Sequence, residues 1–391
     1  MAITFLKKSI SNKLEVILKV AERCNINCSY CYFFNGGDDT FKKRPTFIAN
    51  STIEAITRFL EDGIRDLKLE KTIIIFHGGE PLINDKKYFD NICTYFRDHL
   101  ERDTDLTLCL QTNAMLIDDD WIDIFARHKI RVGVSLDGPQ EYHDKSRIDF
   151  QNQGTYDRTI KGIEFLKQAH MMGKIDELGI LCVIDPAHSA KRIYRHFVDT
   201  LNIKAMDFLL PDLTHDKFHE DPNAYGTYLC ELFDEWVRDD DPNIHVRVLN
   251  SVLSLILGGS SMVDGYGMEL TPAITIESDG NIGPDDLLRN CGSSLMPLGM
   301  NVINTQLSEF FNSHPMQQLN DAHIDLHESC KECCWLKVCG GGLMVNRFKQ
   351  INEFKNPSIF CNGLKMFYAH ASAYLIEKGF PVEHLEKILL E

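Results

Sequence analysis

Three cysteines stand close together near the start of the chain, at Cys24, Cys28 and Cys31. Three thiolates in one short loop suit a cubane [4Fe–4S] cluster that keeps one iron without a protein ligand, because a closed cluster takes four cysteine ligands. An iron without a protein ligand can chelate a small molecule. The spacing therefore predicts an open iron–sulfur site at this loop, with chemistry at the free iron.

Zinc binding, a disulfide and inert packing are the alternatives for the cysteine triplet. Zinc sites usually combine two separated Cys-x-x-Cys or Cys/His pairs, and this loop holds only one such pair. Inert core cysteines normally occur singly. A disulfide framework is disfavoured, because the chain is long and shows no secretory segment.

Length and composition limit the class of protein. A chain of 391 residues with 44% hydrophobic residues exceeds one ordinary core and predicts two domains. Its formal net charge of −16 argues against nucleic-acid binding, which needs Lys and Arg to neutralise phosphates. No apolar run approaches the roughly 20 residues of a membrane span, so no membrane partner is expected. Residues 1–8 lack a complete signal-peptide core and cleavage site, which predicts a cytoplasmic protein.

Strand-like apolar runs alternate with stretches of helical periodicity. Their Ile, Val and Leu content is typical of strands buried on both faces. The runs lie at 15–20, 72–76, 106–110, 130–135, 178–184 and 204–210. Helices are predicted near 85–100, 118–128, 155–171, 189–200 and 222–238, and from Ser51 with a capping box to Glu54. Six successive β-α units predict an α/β fold with a parallel sheet, either doubly wound or a partial barrel.

Three polar or glycine-rich segments follow three of these strands, where ligand sites lie in parallel α/β folds. They are His77-Gly78-Gly79-Glu80-Pro81, Gln111-Thr112-Asn113 and Ser135-Leu136-Asp137-Gly138-Pro139. Paired glycines let the backbone approach a ligand closely, and a carboxylate beside them can bind an ammonium group. Each segment alone also fits an ordinary turn. Their shared position predicts a ligand site beside the cysteine loop.

The chain changes character after glycine-rich breaks at 258–261 and 264–267, so a boundary near residue 262 is predicted, with domains 1–262 and 263–391. A strand is expected at 273–277, followed by a hairpin turn at Asp279-Gly280. Four cysteines beyond it can hold a second metal centre: Cys330, Cys333, Cys339 and Cys361. Four thiolates suit structural zinc as well as an iron–sulfur cluster. Helices at about 363–378 and 381–390 complete the pattern.

The cysteine spacing, with Tyr30 before the third cysteine, resembles the signature of the radical S-adenosylmethionine (SAM) superfamily, and Gly78-Gly79-Glu80 resembles its GGE motif. The resemblance implies a partial (β/α)6 barrel in which SAM chelates the free iron of a [4Fe–4S] cluster. It implies that SAM is bound by Tyr30, Gly78, Gly79, Glu80, Asn113, Ser135, Asp137 and Arg147, with Glu80 at the methionyl ammonium. One electron, from a flavodoxin- or ferredoxin-type reductant, then yields a 5′-deoxyadenosyl radical.

The C-terminal cysteines resemble the SPASM extension of peptide-modifying radical enzymes. By that resemblance, Cys330, Cys333, Cys339 and Cys361 hold one auxiliary [4Fe–4S] cluster. A second auxiliary cluster is doubtful, because Asp285 and Leu343 stand where the family carries cysteines, and the roles of Cys291 and Cys334 stay open. Asp286 falls where sulfatase-maturing enzymes carry a base, and Asp285 is the second candidate. A solvated turn carboxylate is the alternative interpretation of Asp286.

The whole chain resembles cyclophane-forming SPASM maturases of ribosomal peptides, of the XyeB and GrrM type. The implied partner is a precursor peptide that loses a hydrogen from Cβ of one residue. The carbon radical attacks an aromatic ring two residues earlier, and loss of a proton and an electron restores the ring. Formylglycine formation on Cys or Ser, or thioether crosslinking, is the alternative. A non-enzymatic electron carrier is disfavoured, because it has no use for a cosubstrate pocket.

Overall fold

The computed structural model describes residues 12–269, 271–292 and 299–390, so the N-terminal residues that bear on secretion lie outside the described residues. The described residues form nine β-strands. They are β1 Lys13–Ala21, β2 Lys71–Gly78, β3 Asp105–Thr112, β4 Arg131–Ser135, β5 Gly179–Val183, β6 Ala205–Leu209, β7 His245–Val246, β8 Ala273–Ile276 and β9 Ile282–Gly283.

Helices separate most of these strands. They are α1 Tyr32–Asn35, α2 Asn50–Leu67, α3 Lys86–Leu100, α4 Asp119–His128, α5 Gln140–Ser146, α6 Tyr156–Met171, α7 Ala190–Arg195, α8 Pro222–Asp239, α9 Arg247–Ile256, α10 Leu307–Phe311, α11 His314–Ile324, α12 Glu328–Lys331, α13 Leu336–Cys339, α14 Met344–Arg347, α15 Cys361–Glu377 and α16 Val382–Leu390. A 3-10 helix spans Asp286–Cys291, and a π-helical turn at His196–Thr200 continues α7. No helix in the described part of the chain is both long and apolar enough to cross a membrane.

The described residues divide into two compact units. The first consists of the described residues of 1–136, 140–179 and 271–320, and the second of those of 137–139, 180–270 and 321–391. The domain boundary near residue 262 stays a prediction.

The first unit is built on strands in the order β4-β3-β2-β1-β8-β9. The neighbouring strands from β4 to β8 run parallel, and β9 turns back antiparallel to β8. In the centre, Leu18 of β1 lies opposite both Phe76 of β2 and Ile276 of β8, and all three side chains are buried. The parallel direction brings the carboxyl ends of these strands to one edge, where the polar segments follow.

The second unit contains the parallel strands β5-β6-β7. Its helices α8 and α15 pack closely at two glycines, since a Cβ placed on Gly226 would lie 2.5 Å from the carbonyl oxygen of Gly363. This close approach holds the start of α15, and therefore Cys361, against α8.

The structure confirms the predicted α/β class and the parallel sheet. It also confirms the six strand positions and the hairpin. The capping box from Ser51 to Glu54 is wrong. The helix begins at Asn50 after Ala49, whose side chain forms no capping hydrogen bond, so Ser51 already lies inside the first turn. The pairing of β8 with β1 has no local signal in the sequence.

Candidate active site

The cysteine loop follows β1 directly and ends where α1 begins, at Tyr32. Burial raises the pKa of Cys24 well above the usual thiol range, and the charges of Glu80, Cys28 and Cys31 raise it further. Burial likewise raises the pKa of Cys31. Thiols that resist ionisation become thiolates when a metal coordinates them. The donor set therefore fits a metal centre.

The distances between the cysteine sulfurs differ between a single metal ion and an iron–sulfur cluster. Among the described residues, no three His, Cys, Asp or Glu side chains converge as one metal ion would require. In a zinc site each cysteine sulfur lies about 2.3 Å from the zinc ion. In a cubane each thiolate ligates a different iron, so the sulfurs stay apart. The described donors show no convergence on one ion, and the expectation of a cluster at this loop rests on the spacing of the three cysteines.

Positive charge lies beside the loop. Nη1 of Arg147 is 3.9 Å from Sγ of Cys28, and the guanidinium lies 5.4 Å from the centre of the Tyr30 ring. Arg147 is buried. The Arg147 charge also lowers the pKa of Cys31 against the larger effect of burial. A buried cation here stabilises negative charge on the thiolates.

The glycine segment is joined to the backbone that enters the cysteine loop. The amide of Gly79 donates to the carbonyl of Ala21 at 2.8 Å, and the amide of Glu80 donates to the carbonyl of Arg23 at 2.9 Å. Gly78 has a φ of +128°, and a Cβ on Gly79 would lie 2.2 Å from the Arg23 carbonyl oxygen. Side chains at these positions would separate the two segments, which explains the paired glycines.

The carboxylate of Glu80 links the ends of β2 and β3. It accepts hydrogen bonds from the Leu82 amide at 3.0 Å, the Thr112 hydroxyl at 2.7 Å and the Asn113 amide at 2.8 Å. Burial raises its pKa to about 7, although these donors act in the opposite direction. An ammonium group beside it would favour the ionised form. Its part in SAM binding stays a prediction.

Two further predicted residues lie at neighbouring strand ends. Nδ2 of Asn113 donates to Oδ1 of Asn25 at 2.7 Å and lies 4.0 Å from Sγ of Cys24. The hydroxyl of Ser135 accepts from Nε2 of Gln111 at 2.7 Å, which joins β3 to β4. The first unit thus brings Glu80, Asn113 and the cysteine loop together.

Asp137 belongs to the second unit, where its carboxylate accepts a hydrogen bond of 3.3 Å from the amide of Val183 at the end of β5. Its side chain is buried. A role of Asp137 in SAM binding stays a prediction.

Asp286 lies in a buried ionic cluster beside the cysteine loop. Its carboxylate is 1% exposed, accepts from the Tyr32 hydroxyl at 2.5 Å, and forms ion pairs with Lys19 and with Arg289, the latter at 2.9 Å. Tyr32 directly follows Cys31 in the chain. The 3-10 helix that carries Asp286 is therefore attached to the loop that carries the three cysteines.

The two adjacent carboxylates differ in basicity. Burial alone would raise the pKa of Asp286, but Lys19 and Arg289 hold it far below the usual range. Asp285 is half-buried, and burial together with the charge of Asp286 raises its pKa to about 6. A general base works best with a pKa near the operating pH. Asp285 is therefore the more basic of the two carboxylates, and a role of either one as proton acceptor stays a prediction.

Lys19 and His77 complete the ionic cluster, and neither was predicted from the sequence as a site residue. The Lys19 ammonium is fully buried and donates to Nδ1 of His77 at 3.0 Å. Burial and the charge of Lys19 lower the pKa of His77 to about 3, so its imidazole is neutral. A signal was present, since Lys19 interrupts the apolar run at 16–20. A lysine in a buried strand requires an anionic partner.

The geometry of this site agrees with the comparisons. Residues 18–183 match the sequence model of the radical SAM superfamily. This chain carries a radical SAM domain. The match spans the three cysteines, the Gly-Gly-Glu segment, Asn113, Ser135, Asp137 and Arg147, whereas Asp285 and Asp286 lie beyond it.

Similarity to known proteins extends past the radical SAM domain. A cysteine-type anaerobic sulfatase-maturating enzyme of Clostridium perfringens strain 13 is 27% identical over 375 residues, which is 93% of this chain and 97% of the relative. A serine-type enzyme of this kind from Bacteroides thetaiotaomicron is 24% identical over 384 residues, covering 93% and 90%. The solved structure of native anSMEcpe with bound AdoMet and Cp18Cys peptide has a TM-score of 0.80 at 25% identity, covering 94% of this chain and 98% of that one.

A second cysteine group lies outside the radical SAM domain, in the second unit. Cys330, Cys333, Cys339 and Cys361 line one pocket, whose empty space is about 330 Å³ including solvent at its mouth. Burial raises the pKa of Cys339 to about 12, so this thiol needs a metal to become a thiolate near neutral pH. Cys334 is exposed next to this group, and Cys291 is buried in the first unit.

Glu80→Gln is expected to weaken SAM binding by the radical SAM domain roughly tenfold or more, because it removes the buried negative charge available to the methionyl ammonium. The amide keeps one oxygen, enough for the Leu82 amide and the Thr112 hydroxyl that share Oε1, and residue 80 is not a predicted iron ligand, so iron content should stay unchanged. Equilibrium binding of SAM and iron analysis measure the two effects. The exposed Glu54→Gln serves as the control. Unchanged affinity in Glu80→Gln would assign this carboxylate a purely structural role.

Proposed function

We propose that this chain is a radical SAM enzyme that oxidises one side chain of a peptide, most closely in the manner of sulfatase maturation, in which a Cys or Ser becomes formylglycine. Similarity to cysteine-type and serine-type maturating enzymes along nearly the whole chain supports this substrate class. The presence of AdoMet and a peptide together in the anSMEcpe structure supports a ternary complex. A cytoplasmic location, expected from the sequence, is part of the proposal.

Cys24, Cys28 and Cys31 hold the catalytic [4Fe–4S] cluster, and Glu80 and Asn113 lie where SAM would meet it. When bound, the cluster and SAM supply a 5′-deoxyadenosyl radical that takes a hydrogen atom from Cβ of the substrate residue. Arg147 stabilises the negative charge of the thiolates. The buried glycine segment keeps the SAM-binding backbone close to the cysteine loop.

The substrate must then lose a proton and an electron. Asp285 accepts the proton, because it is the carboxylate of the pair that is basic near neutral pH. Asp286, Lys19 and Tyr32 fix the 3-10 helix that carries this base next to Cys31. This attachment is the observation that carries the proposal, since a proton acceptor beside a three-cysteine loop suits oxidation of a substrate radical. The C-terminal cysteines hold the cluster to which the electron passes.

Cyclophane formation in a ribosomal precursor peptide is the second candidate, and it rests on the resemblance of the chain to cyclophane-forming maturases. The resemblance to peptide maturases leads one to expect cysteines where this chain has Asp285 and Leu343. In the second unit, a Cβ on Gly265 would lie 2.6 Å from Leu343 Cγ, so an aliphatic side chain fills the space beside this glycine.

Mass spectrometry of peptides incubated anaerobically with the reconstituted enzyme, SAM and a reductant tests the proposal. The peptides are a sulfatase-type Cys peptide, its Ser counterpart and the small peptides encoded beside the gene. Formylglycine from Cys exchanges sulfur for oxygen with loss of two hydrogens, and its aldehyde reacts with hydrazides. A cyclophane loses two hydrogens without gaining an aldehyde. Cleavage of SAM with no mass change in any of these peptides would count against peptide oxidation.

A further inference from the structure

Arg347 is a buried cation that has no carboxylate partner among the described residues. It is 1% exposed at the end of α14. Nη2 donates to the carbonyls of Ala322 at 2.7 Å and Phe354 at 3.1 Å, and Nη1 lies 3.4 Å from Sδ of Met344. Within the described residues no carboxylate pairs with this guanidinium, and its Nε has no hydrogen-bond partner. Because an uncompensated buried charge is costly, the site calls for an anion.

The anionic groups that face Arg347 are cysteines of the second group. Burial lowers the pKa of Arg347, whereas Cys330 and Cys339 raise it as thiolates. A Cβ placed on Gly341 would lie 3.6 Å from Nη1 of Arg347, and Gly341 lines the cysteine pocket. The guanidinium therefore lies directly behind the wall of that pocket.

Tyr368 places a buried hydroxyl at the same pocket, within hydrogen-bond reach of Cys339. Its side chain is 1% exposed and lines the pocket, and its hydroxyl has no nitrogen or oxygen partner in the described part of the chain. Burial raises its pKa, and the charge of Cys339 raises it further. A buried O–H group beside a cysteine is placed to donate to a cluster sulfur.

We propose that Arg347 and Tyr368 set the reduction potential of the auxiliary cluster, Arg347 as a fixed counter-charge and Tyr368 as a hydrogen-bond donor to sulfur. The inference rests on the proposed function, which assigns a [4Fe–4S] cluster to the four cysteines. Reduction adds one negative charge, and both a buried cation and hydrogen bonds to sulfur stabilise the reduced form. In the proposed reaction the substrate radical would lose one electron to the auxiliary cluster, and an oxidised flavodoxin- or ferredoxin-type protein would then take that electron from the cluster.

The test uses the full chain with Cys24, Cys28 and Cys31 replaced by Ala, so that the remaining iron is the auxiliary cluster. Its midpoint potential is measured by titration monitored with electron paramagnetic resonance. Arg347→Gln is expected to lower the equilibrium constant for reduction of the cluster about tenfold. This corresponds to a midpoint potential lower by about 59 mV for one electron. Arg347→Lys keeps the charge and should stay near the parent value. Tyr368→Phe should shift the potential less, in the same direction.

Tyr228→Phe is the matched control, since it removes a buried hydroxyl that has no hydrogen-bond partner among the described residues, from a residue that does not line the cysteine pocket. Its potential should not change. A cluster that forms with the parent potential in both Arg347→Gln and Tyr368→Phe would overturn the inference and leave the proposed function intact. Zinc in place of iron in the background protein would instead refute the proposed cluster. If circular dichroism shows that Arg347→Gln does not fold, the difference in midpoint potential between Tyr368→Phe and Tyr228→Phe tests the inference.

Discussion

Replacement of Cys24, Cys28 and Cys31 with Ala should reduce SAM cleavage to background and remove about half of the iron. Each cubane holds four irons, so a chain with two clusters should fall from roughly eight irons to roughly four. In the proposed function the three thiolates are the ligands of the cluster that meets SAM, so without them no electron would reach the sulfonium. Anaerobic reconstitution, iron and sulfide analysis, and detection of 5′-deoxyadenosine measure the result.

Cys93→Ala is the matched control for this prediction. Cys93 is fully buried in α3 and is neither in the loop nor in the C-terminal pocket. Its removal should lower stability through a small cavity and leave iron content and SAM cleavage unchanged. If SAM cleavage survives in the triple variant, the catalytic cluster does not reside on this loop.

Asp285→Asn is expected to reduce modified peptide by roughly 10²–10⁴-fold, the usual contribution of a positioned base, while SAM cleavage continues. Because burial raises the pKa of Asp285 to about 6, the carboxylate is ionised and able to accept a proton above that pH. Product formation by the parent enzyme should therefore rise as pH increases through about 6. In Asp285→Asn this rise should be absent. Initial rates of product and of 5′-deoxyadenosine across pH 5 to 8 measure both effects.

Asp286→Asn is the comparison variant, and its main effect should be on stability. It leaves the buried ammonium of Lys19 without its carboxylate, and breaking a buried ion pair costs about 3–5 kcal/mol. The pKa of Asp286 is lowered in the folded state, so its contribution to stability is present above the normal Asp pKa and is lost in strong acid. Denaturant unfolding at neutral pH measures the loss. Full product yield from Asp285→Asn and from the double variant would leave water or the peptide as the proton acceptor.

The sequence determined those features that depend on neighbouring residues. The spacing of Cys24, Cys28 and Cys31 predicts an iron–sulfur loop because one short loop presents the ligands. Apolar runs predict the six strands because strands buried on both faces need continuous apolar side chains. The edge that carries Glu80 and Asn113 follows from the rule that ligand sites lie at the carboxyl ends of parallel strands.

The tertiary structure decided what depends on residues far apart in the chain. Lys19 and Asp286 are 267 positions apart, yet their ion pair fixes which of two adjacent carboxylates stays ionised and which is basic near neutral pH. By family resemblance, Asp286 is the first candidate for the base. Arg347 gave no signal in the sequence, because its lack of a carboxylate partner among the described residues is visible only once the chain is packed. Desolvation and charge pairing are properties of the assembled interior, so no local pattern encodes them.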